Sequence, residues 1–163
     1  MKKILVLLLV CMVLSGCVAK VPQTEPPTTV PELSQVPEML VTCGNDEFYV
    51  ASTNYSWTAP GEDGEMFAVF ANGHHPLERY MEKEFRTLTE DRVSLSFSVE
   101  PASITVVRWA RDAGAKEMDR GESITLDSGS FVTETGSWIY QITVTWEGDT
   151  WGGRAEYELY LSR

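Results

Sequence analysis

The sequence predicts a mainly β domain, an antiparallel β-sandwich of about seven or eight strands, on three observations. Segments near the C-terminus alternate apolar and polar residues with a period of two, which puts every second side chain on one face of an extended strand. Turn signals rich in glycine, asparagine and aspartate recur between such segments at a spacing of roughly 8–12 residues. The third observation is the length of residues 44–163, enough to bury a core in a chain with only three cysteines, at 11, 17 and 43.

Taken in order, residues 47–58 read as a strand, PGEDGE (60–65) as a turn, and Met66–Ala71 as the next strand before the tight-turn pair Asn72-Gly73. Residues 76–88 predict one short helix, because Leu77, Met81, Phe85 and Leu88 recur at helical spacing with Glu82 and Lys83 in supporting positions. In VSLSFSV (93–99), Val93, Leu95, Phe97 and Val99 share a face. Pro101 closes that strand and ITVVRWA (104–110) opens another. GESITLDSGSFVTE (121–134) reads as one or two strands around Asp127-Ser128-Gly129. Ser137–Glu147 carries Trp138, Tyr140, Ile142, Val144 and Trp146 on one face. In residues 154–163, Ala155, Tyr157, Leu159 and Leu161 oppose Glu156, Glu158 and Tyr160. The seven-residue, glycine-rich link EGDTWGG (147–153) makes these last two strands an antiparallel hairpin.

The succession VSLSFSV, ITVVRW, SITL, the 137–147 strand and AEYELYL resembles strands B, C, E, F and G of immunoglobulin-like domains. The resemblance implies that Trp109 is the tryptophan such domains bury on strand C, and that GSWIY (136–140) is a relative of their tyrosine corner. Two features depart from the pattern. There is no inter-sheet cysteine pair, and Trp138 rather than Tyr140 has the usual Gly-x-aromatic spacing.

The N-terminus reads as an export leader. Lys2 and Lys3 precede an uninterrupted apolar run of eleven residues, 4–14, whereas a membrane-spanning helix needs about 20. The following LSGC (14–17) resembles the lipobox of bacterial lipoproteins. That resemblance implies signal cleavage between Gly16 and Cys17, a diacylglyceryl group on the Cys17 thiol, and anchoring on the extracytoplasmic face of the cell membrane. One acyl chain binds marginally, and two or three hold firmly. Residues 1–16 are then the signal peptide, 17–43 a lipidated, proline-rich disordered tether, and 44–163 the sandwich domain. Five of the eight prolines, at 22, 26, 27, 31 and 37, fall in the tether, where they remove backbone donors. Cys43 is left unpaired at the junction. NYSWTAPG (54–61), HHPLE (74–78) and the W-x-Y-x-I-x-V-x-W strand also resemble segments of small, uncharacterised lipoproteins from Firmicutes; that resemblance brings no catalytic residues with it.

All 24 acidic residues but only 11 basic ones follow Gly16, leaving a net charge of −13 on the processed chain. Such a surface repels nucleic acid and anionic head groups. His74 and His75, the only histidines, point to opposite sides of an extended chain, so a polar turn is expected there and no metal site. No cofactor motif occurs, and no G-x-S-x-G or S-x-x-K stretch. The carboxylate groups Glu62, Asp63 and Glu65, Glu82 and Glu84, and Glu90 and Asp91 are expected as surface acid, though a pair in a cleft would make an acid–base hydrolase. GEDGE lacks calcium-loop spacing.

Trp151, Tyr160 and Trp57 are the expected contact residues, since exposed aromatic faces stack on sugars or hold protein partners. The expected function is a non-catalytic, lipid-anchored binding module of the cell envelope, with a cell-wall glycan or an envelope protein as partner. An envelope hydrolase and a structural or sensory lipoprotein are the alternatives. The hydrolase requires two convergent acids in a cleft, and the structural reading requires Trp151 packed away and no contiguous aromatic patch.

Overall fold

A computed structural model describes residues 35–163. The leader, the lipobox with Gly16 and Cys17, and most of the tether lie outside the described residues. The chain runs through β1 (Met39–Cys43), β2 (Asp46–Val50), β3 (Asn54–Pro60), β4 (Met66–Ala71), α1 (Pro76–Arg79), β5 (Arg86–Thr87), β6 (Arg92–Phe97), β7 (Ser103–Ala110), β8 (Glu122–Ile124), β9 (Ser130–Val132), β10 (Ser137–Glu147) and β11 (Gly152–Ser162). Two sheets pack face to face. One has the order β2-β1-β6-β9; the other has the order β4-β3-β11-β10-β7-β8, with β5 alongside the end of β11. Within them β1-β6-β9 follow the A-B-E order, and β7-β10-β11 the C-F-G order, of an immunoglobulin-like sandwich. The hairpin β3–β4 and the segment around α1 are inserted between A and B.

The predicted C-terminal hairpin is the centre of the larger sheet. β10 and β11 pair over eleven positions, from Ser137↔Ser162 to Glu147↔Gly152. Their predicted apolar faces point inward onto Met39, Val41 and Cys43 of β1, Val93 and Leu95 of β6, and Phe131 of β9. Each large apolar side chain withdrawn from water in this way contributes about 1.5–3 kcal/mol. Gly153 is required by the close approach of β3: a Cβ there would fall 2.0 Å from the Ser56 carbonyl oxygen, and its φ of +151° is one L side chains rarely adopt. In GSWIY (136–140) the buried aromatic with a hydroxyl partner is Tyr140. It is fully buried, and its hydroxyl shares a 2.7 Å hydrogen bond with Thr133 Oγ1.

Several sequence expectations are corrected. The folded domain begins before residue 44. Met39, Val41 and Cys43 alternate into the core as β1, a pattern hidden by the prolines just upstream, and the Tyr157 hydroxyl donates to the Pro37 carbonyl. There are eleven strands among the described residues, the excess over eight coming from β1, the two-residue β5 and the division of residues 47–58 into β2 and β3. Residues 47–58 split between the sheets, β2 pairing with β1 and β3 with β11.

SITL (123–126) is not strand E. Glu122–Ile124 pairs with β7, and the chain then turns through Ser128 and Gly129, both with positive φ, so that Ser130–Val132 takes the E position beside β6. Trp109 is buried, but on the outer face of the larger sheet, because Val106 occupies the inward register of β7 and Trp109 the opposite one. The predicted helix shortens to one turn of α1 and a 3₁₀ turn, Tyr80–Glu82. His75 caps it, accepting from the Leu77 N–H, and Pro76 sits at its first position. Of the expected helical stripe, Leu77 and Leu88 are buried, whereas Met81 is exposed. No helix among the described residues is long and apolar enough to cross a membrane.

Candidate functional site

The three predicted contact aromatics do not form a surface. Trp57 is 1 % exposed and Trp151 8 %. Their rings stack at 5.9 Å between centroids, and Trp57 meets Trp146 edge-on at 5.6 Å. Trp151 folds back from its glycine-rich loop and closes one end of the inter-sheet core. Gly148 leaves room for it, since a Cβ there would lie 2.5 Å from the indole. Tyr160 is on the other side of the larger sheet. Its ring meets Phe85 edge-on at 5.7 Å, and its hydroxyl donates to Glu158 Oε2. Burial and that hydrogen bond push its ionisation well above the ordinary tyrosine range. Burial thus removes Trp57 and Trp151 as contacts, and the segment after α1 covers much of Tyr160.

His74, His75 and Cys43 are each engaged in structure. His74 Nδ1 lies 3.0 Å from Glu78 Oε2 on the surface, while His75 caps α1 and meets Trp109 edge-on at 5.0 Å. Cys43 is buried between the sheets, its Sγ donating weakly to the Glu90 carbonyl, and burial raises its pKa. No group of three or more His, Cys, Asp or Glu able to hold a metal ion occurs among the described residues. The carboxylates singled out in the sequence are all exposed.

The best-held carboxylate is Glu156, which accepts from Asn54 Nδ2 and Gln141 Nε2 at 3.0 Å and from Arg154 at 2.6 Å. Arg108, buried on the inward register of β7, bridges Glu122 at 2.8 Å and Glu134 at 2.6 Å, with its guanidinium over the Trp138 ring. Burial works against its charge, the bonds to Glu134 and Glu122 outweigh it, and the net shift of its pKa is upward. Both glutamates neutralise it, so it offers no free charge to an anion.

What remains is β4, MFAVFA, at one edge of the larger sheet. It pairs only with β3, and Met66 to Phe70 are exposed on both faces, Phe70 to 65 % and Met66 to 53 %. The four-stranded sheet does not reach far enough to cover its inner side. There a cleft of about 470 Å³ opens beside Val69, bounded by Tyr55, Trp57, Val36 and Pro37. On the outer side Phe70 borders a smaller cleft with Ser56, Arg154 and Glu156.

The backbone of β4 is half open too. Gly61 N donates to Glu65 O at 2.7 Å, which makes Gly61–Glu65 a hydrogen-bonded pair of the hairpin. Bonded and non-bonded pairs alternate along an antiparallel ladder, so Ala59–Phe67, Trp57–Val69 and Tyr55–Ala71 are the bonded ones. The N–H and C=O groups of Met66, Ala68 and Phe70 therefore point out along the edge. Exposed edges are normally blunted by charge, proline, a bulge or short length. β4 has none of these, whereas β2 opens with Asp46-Glu47 and β8 with Glu122.

Sequence reasoning found β4 as a strand and missed it as a site. A continuous apolar run reads as a strand buried on both faces, and only the sheet order reveals that it lies at an edge. No family model, curated protein or solved structure matches the chain.

Proposed function

We propose that this chain is a lipid-anchored, extracytoplasmic interaction module of the bacterial cell envelope, non-catalytic, whose contact surface is the edge of β4. The observation that carries the reading is an uncharged six-residue strand with exposed apolar side chains on both faces and an open backbone edge. Apolar patches left exposed on a soluble domain mark interaction sites more often than chance, and an open edge offers backbone pairing besides. The lipobox-like LSGC and the proline-rich segment after it support the anchor and the stalk. Trp151 packed into the core fits the purely structural reading equally well; the exposed apolar side chains on both faces of β4, Phe67 on one and Phe70 on the other, are what favour a contact role.

Cell fractionation tests the anchor. The chain sediments with membranes, and Cys17→Ser releases it; a chain in the cytoplasmic fraction would contradict the placement. Retention of the purified chain on envelope fragments that still carry their own copies of it tests the surface. Phe70→Asp is expected to lower retention at least tenfold without altering the near-ultraviolet circular dichroism, and unchanged retention would remove β4 as the contact.

A further inference from the structure

We infer that β4 is self-complementary: two copies of the chain pair β4 against β4, antiparallel, about a two-fold axis through Ala68. The inference rests on the reading of β4 as the contact surface and names its partner.

The outward backbone groups belong to three residues, Met66, Ala68 and Phe70, spaced symmetrically about the middle one. An antiparallel second copy in that register sets Met66 opposite Phe70, Ala68 opposite Ala68, and Phe70 opposite Met66. Each such pair exchanges two backbone hydrogen bonds, about six in all, and no outward group is left over. The side chains agree with the register. On the outer face the bulky Met66 meets Phe70 of the second copy, and two alanines meet at the axis. On the inner face Phe67 meets Val69, an aromatic–β-branched pair of the kind that stabilises sheets. The inner-face contact also extends the apolar wall formed by Val69 and Val36 in the adjoining cleft.

Charge selects the direction. Glu62, Asp63 and Glu65, all exposed, precede the strand at one end only. Parallel pairing would set these two acidic turns side by side. Antiparallel pairing carries them to opposite ends and places each beside the uncharged Asn72-Gly73 of the other copy. In a chain of net charge −11, β4 is an edge strand that carries no charge of its own. The other edges lack this property: β2 carries Asp46 and Glu47, and β8 and β9 are three residues long. The chain's own residues 18–34 are a poor substitute, because prolines at 22, 26, 27 and 31 remove the donors a strand partner must supply. The symmetric match makes the second copy a better occupant than a foreign strand. Membrane anchoring would raise the local concentration of copies further.

Because Ala68 faces its own counterpart, charge substitution there has a distinctive signature. In sedimentation equilibrium of the full-length, detergent-solubilised chain, the parent dimerises. Ala68→Asp and Ala68→Lys each weaken dimerisation at least tenfold, by setting like charges opposite one another across the axis. Mixed in equal amounts, the two variants dimerise again, at least tenfold more tightly than either alone. Ala68 is exposed, and unchanged near-ultraviolet circular dichroism verifies that the variants fold. A parent that stays monomeric up to about 100 μM, near the affinity of a weak contact, overturns the inference. So does a mixture that associates no better than its components. The two levels of failure are separable. A monomeric parent whose envelope retention is still lost in Phe70→Asp would leave β4 to a foreign strand. Retention indifferent to Phe70→Asp would remove the surface itself.

Discussion

Two hairpins of this sandwich, β10–β11 and β3–β4, are both rich in apolar residues, and they serve opposite ends. In β10–β11 the apolar residues occupy alternate positions, and the sheet buries them: Tyr140, Ile142, Val144, Tyr157 and Leu159 are all 2 % exposed or less. In β4 the apolar residues are continuous and exposed on both faces, from 36 % at Phe67 to 65 % at Phe70. The difference is one of position in the sheet. A strand at the centre has neighbours on both sides and a second sheet above it. A strand at the edge beyond the four-stranded layer has neither. Apolar content therefore indicates what a strand can bury, and sheet order decides whether it does.

That contrast can be broken most forcefully at the core. Trp146→Ala removes a ring that touches Trp57 and Phe97 and donates to the Val99 carbonyl, and should lower unfolding free energy by about 3–5 kcal/mol in urea titration. Phe70→Ala, an aromatic truncation of the same kind, should change it by no more than about 0.5 kcal/mol, because its ring is already in water. A similar loss at both positions would mean that β4 is packed in solution.

Next in size, Arg108→Met should cost about 1–3 kcal/mol. The loss is less than for a wholly buried pair, since Glu122 and Glu134 are each 61 % exposed and regain water. Substituting both glutamates with glutamine should cost more than Arg108→Met, by stranding the buried guanidinium. The ordering is read from the same titrations.

Alkaline titration sharpens the account of the core further. Burial raises the ionisation of Tyr140, Tyr157 and Tyr160 above the ordinary value of 10.0. In the unfolded chain these phenols ionise near pH 10, while in the folded chain they stay protonated to higher pH. Between those limits the native state holds more protons, so the contribution of these phenols is constant below about pH 9 and is lost as pH rises through 10 and beyond. Tyr157→Phe should reduce that slope, while the loss of its bond to the Pro37 carbonyl lowers stability below about pH 9. A pH dependence identical to the parent's would contradict the assignment. The smallest effect is expected at Cys43. Its buried thiol, with raised pKa, should react with an alkylating reagent only as fast as the domain opens. Rapid modification of the native chain would show that β1 is loose.

Much of the architecture was legible because period-two alternation and turn chemistry are local. The facing residues of β10 and β11, the hairpin between them and the alternation of β6 all follow from that signal. What was not legible depends on which sheet a strand joins. Glu122–Ile124 and Ser130–Val132 have similar local character, yet a turn through Ser128 and Gly129 sends them to different sheets. Trp109 shares a strand with inward-facing Val106, and one step of register puts it outside. Met39–Cys43 was masked by its proline-rich prelude. The candidate site suffered most. From sequence, Trp151 in its glycine-rich loop either faces solvent or folds back over the end of the sandwich, and the stacking on Trp57 decides for the second. Met66–Ala71 reads as a strand, and nothing local reveals that it lies at an edge.

The most direct test of β4 as an open, self-pairing edge is amide hydrogen exchange at residues 66–71, resolved by nuclear magnetic resonance over a dilution series. Pairing with β3 should protect the amides of Phe67, Val69 and Ala71 at every concentration. Those of Met66, Ala68 and Phe70 should exchange freely in dilute solution and become protected together as concentration rises. Free exchange of these three at all concentrations would contradict self-pairing, and protection of all six in the most dilute sample would contradict the open edge.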